Sequence, residues 1–465
     1  MMRTGTRLGL REELDAGHGH SVGPRGRQGP ARLAVFCLLF GLRLIAPKAV
    51  QAQPHPPAGN TWIGRRVVQR LNDFQLRIED RVVERGRVIH FYRVEQVKDQ
   101  WLWLHAEGNG LSGWARAEDV IAVDKGIEFF SEQLRANPQD IFSYVMRATL
   151  WQDQKEIDKA LHDYDEAIRL DPTQAWIFND RGIEWAQKQD YDKALADFSQ
   201  AIRLAPRNAS IYNNRGTVWR AKKVYDEAIA DFSEAIRLSP DYVSAHYNRG
   251  LTRVDKQLFD GAIADFDEVI RLDPNDALSY YHRGLAWLAK KEYDPAIADF
   301  DRAIGLMPGR RGTFLNRGIA WAAKKEYDKA IADFDAVLKI DSKDSRAYYN
   351  RGLAWSEKKE FGKAIADFDQ AIQLNPKYDD AYLSRAWLLA TCPDPRYHDT
   401  NKAVESATKA CELTDWHEAH DLGGLAAVYA QTGNVAAAMK WQSRAIELMT
   451  GGTMSEFNPI QILQH

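Results

Sequence analysis

Three aspartate pairs, Asp299/Asp301, Asp333/Asp335 and Asp367/Asp369, come nearest in this chain to a metal-binding spacing. A divalent cation needs oxygen ligands that converge. On a helix, residues two apart point roughly 200° from one another, so these carboxylates diverge. A structural role is expected for them instead. The sequence holds no HExxH, no CxxC, no glycine-rich phosphate loop and no GxSxG. The expectation is therefore no catalytic residue, no metal and no cofactor, in a protein that is not an enzyme. Two sets of polar residues remain. One pairs arginines (Arg147, Arg181, Arg215, Arg249, Arg283, Arg317, Arg351, Arg385) with aspartates (Asp163, Asp197, Asp231, Asp265, Asp299, Asp333, Asp367). The other is a row of amides, Asn214, Asn248, Asn316 and Asn350, with Asp180 and His282 in neighbouring slots.

Both sets recur with one step. Gly182, Gly216, Gly250, Gly284, Gly318 and Gly352 lie 34 residues apart without insertion, and Ala148 and Ala386 extend the phase. Alanine recurs at 160, 194, 228, 262, 296, 330 and 364, and an aromatic recurs from Tyr164 through Phe198 to Phe368. Proline holds a third column, from Pro138 to Pro308 and at Pro376, with Ser342 in the vacant slot. A fixed step of this size implies a solenoid of stacked helix pairs. With Ser345 as position 1, helix A is expected at roughly positions 2 to 14 and helix B at roughly 18 to 31. Positions 20, 24 and 27 form one face of helix B, and the position 32 proline ends it.

The length and the columns at 4, 8, 20, 24, 27 and 32 resemble the tetratricopeptide repeat (TPR). Two columns depart from that family: position 7 is arginine instead of leucine, and position 15 is Lys or Gln instead of glycine, as at Lys325 and Lys359. The resemblance implies a mainly α fold, a right-handed superhelix of helix-turn-helix repeats. It also implies a concave surface that binds proteins or extended peptides. The position 6 amides resemble the asparagine ladder in the TPR superhelix of O-linked GlcNAc transferases, which implies contact with a peptide main chain. Asparagine offers both a donor and an acceptor for that. If positions 8 and 20 face each other, position 7 lies opposite 21, one short step from 23. Each arginine is then expected to pair with an aspartate of its own or a neighbouring repeat.

The chain before the repeats reads differently. Residues 1–52 carry a balance of +5, with arginines before a short apolar run, Leu33 to Leu42, and Val50-Gln51-Ala52 as a cleavage site. This predicts a signal peptide and an extracytoplasmic protein, anchored in the membrane if the leader is not cleaved. The run is too short to span a bilayer comfortably. Residues 53–60 read as a proline-containing linker. Residues 61–124 show five short β-rich runs: Arg66 to Arg70, Leu76 to Glu84, Val88 to Val97, Trp101 to His105 and Trp114 to Val123. Leu111-Ser112-Gly113-Trp114 followed by Val120 resembles the close of the bacterial SH3-like domain, which implies a small all-β barrel. Trp101, Trp103 and Trp114 either line a ligand groove there or, in the expectation preferred here, two of them plug the core.

Residues 125–140 are expected to form a capping half repeat, 141–378 seven repeats, 379–418 an eighth with an insertion at 391–399, and 419–450 a ninth, before a tail at 451–465. The net charge of −3 divides into +5 for residues 1–52 and −8 for the rest. An acidic body is a poor match for nucleic acid, so no nucleic-acid partner is expected. Cys392 and Cys411 are expected to be free thiols, because helical rise separates them by roughly 15 Å. The function expected is a protein- or peptide-binding scaffold. The alternative is an envelope glycan module, with cell-wall contact through the SH3-like domain and the repeats as a spacer.

Overall fold

The computed structural model describes residues 60–78, 81–85, 91–107 and 110–450. The expected leader, most of the linker and the tail lie outside the described residues. Seven strands come first: β1 (Arg66–Gln69), β2 (Gln75–Ile78), β3 (Arg81–Arg85), β4 (Tyr92–Lys98), β5 (Trp101–Ala106), β6 (Ser112–Arg116) and β7 (Val120–Ala122). They form one antiparallel sheet in the order β3-β2-β6-β5-β4-β1-β7. Strand alternation sends Leu102, Leu104, Ala106 and Ala115 inward to join Val67, Phe74, Leu76, Tyr92, Val94 and Val120 in one core.

Two of the five expected runs are each two strands. The run at 76–84 breaks between Ile78 and Arg81, and the run at 114–123 breaks at a 3-10 turn, Ala117–Asp119. That turn redirects the chain so that β7 pairs with β1. The acidic pair Glu118-Asp119, a poor strand former, marks the second break.

Nineteen α-helices follow. α1 (Val123–Ala136) comes first, where a capping half repeat is expected at 125–140. The pairs are α2 (Ile141–Asp153) with α3 (Ile157–Leu170), α4 (Ala175–Gln187) with α5 (Tyr191–Leu204), α6 (Ala209–Ala221) with α7 (Tyr225–Leu238), and α8 (Val243–Asp255) with α9 (Phe259–Leu272). Then come α10 (Ala277–Ala289) with α11 (Tyr293–Leu306), α12 (Arg311–Ala323) with α13 (Tyr327–Ile340), and α14 (Ser345–Glu357) with α15 (Phe361–Leu374). The last are α16 (Asp379–Thr391) with α17 (Thr400–Leu413) and α18 (Ala419–Gln431) with α19 (Val435–Thr450). Helix A thus covers positions 1 to 13 and helix B positions 17 to 30, one residue earlier than expected. The residues fall into two compact units, divided after Thr252 inside α8. No helix among the described residues is long and apolar enough to cross a membrane.

The position 8 glycine lies hard against the aromatic at position 24, although in the first repeat Ala148 holds that place over Tyr164 in one buried cluster. A Cβ on Gly318 would lie 2.6 Å from the Phe334 ring, and one on Gly216 would lie 2.7 Å from Phe232. In the eighth repeat Ala386 replaces the glycine, and the residue beneath it is Ala407 in the same buried cluster. The two small side chains together fill the space that one phenylalanine takes elsewhere.

The turn between helices A and B accounts for the departure at position 15. Lys155, Gln189, Lys223, Gln257, Lys291, Lys325 and Lys359 all adopt left-handed backbone, with φ between 60° and 64°. Seven L-residues sit where glycine carries no Cβ penalty. Lys325→Gly should therefore raise stability by about 0.5–1 kcal/mol. Thermal unfolding of the variant beside the parent chain measures this, and a lowered midpoint would contradict it.

Candidate binding surface

The arginine column builds the contact between successive repeats. Arg181, Arg215, Arg283, Arg317 and Arg351 each direct Nε and Nη2 to both oxygens of the aspartate sixteen residues on, at 2.6 to 2.9 Å. Arg147 does the same to Asp163 at 2.8 and 2.7 Å. The third nitrogen, Nη1, donates to position 25 of the preceding repeat. Its acceptor is Asp165 for Arg181, Asp267 for Arg283, Asp301 for Arg317, Asp335 for Arg351 and Asp369 for Arg385. Ser131, Ser199 and Ser233 accept from Arg147, Arg215 and Arg249. The guanidinium also lies 5.3 to 5.8 Å from the position 4 ring, from Tyr144 to Tyr382. The Asp-x-Asp pairs are thereby explained: each carboxylate of Asp299/Asp301, Asp333/Asp335 and Asp367/Asp369 serves a different arginine.

Asp265 also accepts from the position 11 arginine: Arg253 Nη1 donates to it at 2.7 Å and to the Gly261 carbonyl at 3.0 Å. Position 11, where Arg253 sits, is tryptophan at 151, 185, 219, 287, 321 and 355. Sequence reasoning missed this column although it shares the 34-residue step. It also missed a second cation ladder. Lys188 reaches Asp158 and Lys222 reaches Asp192, each at 2.5 Å, and Lys290, Lys324 and Lys358 pair with Asp260, Asp294 and Asp328. Lysines also cover the tryptophans; Lys193 Nζ is 4.0 Å from the Trp185 ring centre.

The position 6 amides follow a rule of their own. Asn214 Nδ2 donates to Asn179 Oδ1 at 2.9 Å, Asn248 to Asn213 at 3.0 Å, and Asn316 to the Tyr281 hydroxyl at 3.2 Å. Each tie reaches back thirty-five residues, to position 5 of the preceding repeat. Asn350 faces Leu315 in that slot and donates to the Arg346 carbonyl instead, at 2.8 Å. The Oδ1 atoms of these four asparagines accept no hydrogen bond among the described residues. His282 stacks on Phe266, with ring centres 5.9 Å apart. Asp180 accepts from Asn179 Nδ2 at 3.1 Å.

Below Asp180, one turn further along α4, lies Glu184. It is 0% exposed and neither carboxyl oxygen has a partner. Burial, with the neighbouring Asp180 second, pushes Glu184 up to about 7, and burial alone pushes Asp180 up to about 6. On the sheet, Trp103 and Trp114 pair across β5 and β6 with ring centres 5.3 Å apart. Trp101, Trp103 and Trp114 all lie half-exposed on the outer face. The core-plug expectation is thus corrected. Strand register sends Leu102, Leu104 and Ala115 inward and therefore the tryptophans outward. Cys392 and Cys411 are buried free thiols, and burial pushes Cys411 up to about 12.

Family models for the tetratricopeptide repeat match residues 247–311 and 345–378, and a TPR repeat model matches 185–222 and 216–257. Residues 185–311 and 345–378 are tetratricopeptide repeats. The seven-stranded sheet is compatible with a bacterial SH3-like domain. No curated protein matches the chain. Among solved structures, YrrB, described as a TPR protein with an unusual peptide-binding site, is 23% identical over 40% of this chain and 97% of its own, with a TM-score of 0.37. MamA is 28% identical over 35% of this chain and 95% of its own, TM-score 0.34. Yeast Tom70 is 16% identical over 74% and 91%, TM-score 0.41.

Two stability measurements follow from this TPR geometry. Burial holds Asp333 above the ordinary carboxylate range even with Arg317 attached, so desolvation offsets most of the ion pair. Arg317→Ala alone should cost about 2–4 kcal/mol, because it leaves a buried acid unpaired. The double change Arg317→Leu/Asp333→Leu should cost less than the single one. Chemical denaturation of all three proteins decides the order. For Glu184 the folded value lies above the ordinary 4.5. Its contribution is therefore full below about 4.5 and is lost as pH rises through about 7. Glu184→Gln should then gain about 2–3 kcal/mol on the parent between pH 5 and pH 8. Equal pH profiles for the two proteins would contradict this.

Proposed function

We propose that this protein is a non-enzymatic scaffold that holds extended peptide segments of other proteins along its A helices. The tetratricopeptide repeat is in general a binding scaffold and not a catalyst. The observation that carries the peptide reading is the position 6 row. Asn214, Asn248 and Asn350 each spend one donor inside the array and Asn316 spends two, which fixes their orientation, and each keeps a free Oδ1 acceptor. Acceptors on successive A helices, Asn214 with Asn248 and Asn316 with Asn350, match the N–H groups of an extended main chain. A stretched peptide advances about 3.3 Å per residue, so helices about 10 Å apart would meet every third residue. Such holding makes little demand on sequence. Export by the leader at 1–52 belongs to the same reading, with partners outside the cytoplasm.

The test changes Asn214, Asn248, Asn316 and Asn350 together to alanine. Helicity by circular dichroism should stay the same, with a lower melting temperature from the lost ties. Partners captured from the native cell by the parent chain should no longer be captured. Equal capture by the variant would overturn the reading.

A second reading rests on the outer face of the sheet. Trp103 and Trp114 sit side by side there, with Arg77 beside Trp114 and Gln96 beside Trp103 in register. Half-exposed indoles beside polar side chains suit stacking against sugar rings, and this supports envelope glycan binding through an SH3-like domain. Sedimentation of the full chain with purified cell wall, against Trp103→Ala/Trp114→Ala, separates the readings. Loss of wall binding in this variant, with partner capture intact, would assign the wall to the sheet and the partners to the repeats.

A further inference from the structure

The repeats supply their own reference for what each position ordinarily holds. Position 2 varies, with Phe142, Ser210, Ser244, Leu278, Gly312 and Arg346; position 6 is Asn in four copies; position 10 is Leu150, Val218, Thr252 or Ala. α4 alone carries acids at both positions 6 and 10, Asp180 and Glu184, with Trp176 at position 2. Residues four apart on a helix share a face, with Cβ atoms about 5–6 Å apart. The three therefore form one stripe. Its outer end is apolar and open, since Trp176 is 41% exposed. Its inner end is Glu184, fully buried, with both oxygens unpartnered.

Elsewhere in the array most buried carboxylates have a cation, and Asp421 has the Thr414 hydroxyl at 2.9 Å. Asp163, Asp197, Asp231, Asp299, Asp333 and Asp367 each hold an arginine. Asp180 and Glu184 do not. The groups around them are Tyr164 of α3, whose hydroxyl bonds to Thr149 of α2, and Asp163, already held by Arg147. From α5, Asp197 is held by Arg181, and from α6, Asn214 reaches the stripe only through Asn179. No Lys, Arg or His acts on either acid among the described residues. Two adjoining acids without a counter-charge, next to an open indole, are complementary to a side chain with an apolar stem and a cationic head.

We propose that Trp176, Asp180 and Glu184 form a subsite for one lysine or arginine side chain of a bound peptide segment. This rests on the reading of the A helices as a peptide-binding row. The stem packs on the Trp176 ring, where a cation is also attracted to the face of the indole. The head meets Asp180 first and draws charge onto Glu184 behind it. Arginine suits Asp180 better than lysine, because its planar fork can bond both oxygens of one carboxylate. Both acids hold protons more tightly than usual, so binding a cation releases protons, and affinity rises as pH climbs from 5 to 8.

The test uses the full chain and ten-residue Gly/Ser/Ala peptides, fluorescently labelled, with Arg, Lys, citrulline or norleucine at the centre. Anisotropy at pH 7.5 should show Arg and Lys peptides bound at least about tenfold more tightly than citrulline, which keeps the shape and lacks the charge. The preference should weaken at pH 5. Asp180→Asn/Glu184→Gln, with unchanged helicity, should bind all four peptides alike, and Trp176→Ala should weaken the Arg and Lys peptides. Equal binding of Arg and citrulline by the parent chain overturns the subsite and leaves the peptide row standing. No binding of any peptide overturns both. Calcium chloride that displaces the Arg peptide at micromolar levels from the parent chain would assign the two acids to a metal ion instead.

Discussion

The guanidinium at position 7 is the contact on which the repeat geometry depends. Leucine in that place would bury area and accept a range of orientations. Arginine is planar, carries five N–H donors in a fixed fork and is always charged. Here the fork's inner edge closes on Asp333 or its equivalents, its outer nitrogen takes position 25 of the repeat before, and its face lies near the position 4 ring. One residue thus fixes helix B of its own repeat, helix B of the previous repeat and its own helix A. Burial raises Asp197, Asp299 and Asp333 in spite of their arginines. The desolvation cost therefore offsets the attraction, and the column sets register more than it adds net stability.

The variations around the fork follow from the same requirement. Where position 11 is Arg253 instead of tryptophan, that arginine reaches Asp265, and position 19 is Gly261, whose missing side chain leaves room for the Arg253 stem: a Cβ there would lie 3.1 Å from Arg253 Cδ. In the eighth repeat the insertion changes what lies beneath Arg385. Ser406 stands in the aspartate slot, and Arg385 Nη2 donates to its hydroxyl at 3.0 Å while Nη1 keeps Asp369. A neutral hydroxyl replaces a buried carboxylate, so one ionic tie is lost and the orientation is kept. In both places a change in one column is met by a change in a column that touches it.

Much of this was legible in one sequence because a repeat states its pattern many times. The helix pairs, the helix before Ile141 and the small-residue columns all follow from the 34-residue step. The arginine–aspartate ties followed from helix geometry alone, since the rise from position 21 to 23 is short. What was not legible depended on neighbours in adjacent repeats. Lys188 reaching Asp158 spans thirty residues, and Asn214 reaching Asn179 spans thirty-five, so neither appears as a helical i,i+4 pair. The direction of the asparagine bonds was also hidden, because an amide can donate or accept. On the sheet, the side on which Trp103 and Trp114 lie depended on register, and a short strand leaves register open until its partners are known.

Uniformity also changes what a departure means. In a globular domain a buried, unpartnered glutamate can be one oddity among many. Here position 10 is Leu150, Val218, Thr252, Ala286, Ala320, Ala354 and Leu388, and each of these tolerates burial without a charged partner. Glu184 alone does not. The cost of holding a carboxyl in that slot is of order a few kcal/mol, and no described residue offsets it as Ser406 or Gly261 offsets its own neighbour. Compensated departures preserve the fold. An uncompensated one, lying on a line with a second acid and an open indole, costs stability in every molecule that carries it. The gain that balances such a cost must then come from outside the chain, from something that brings a positive charge to α4.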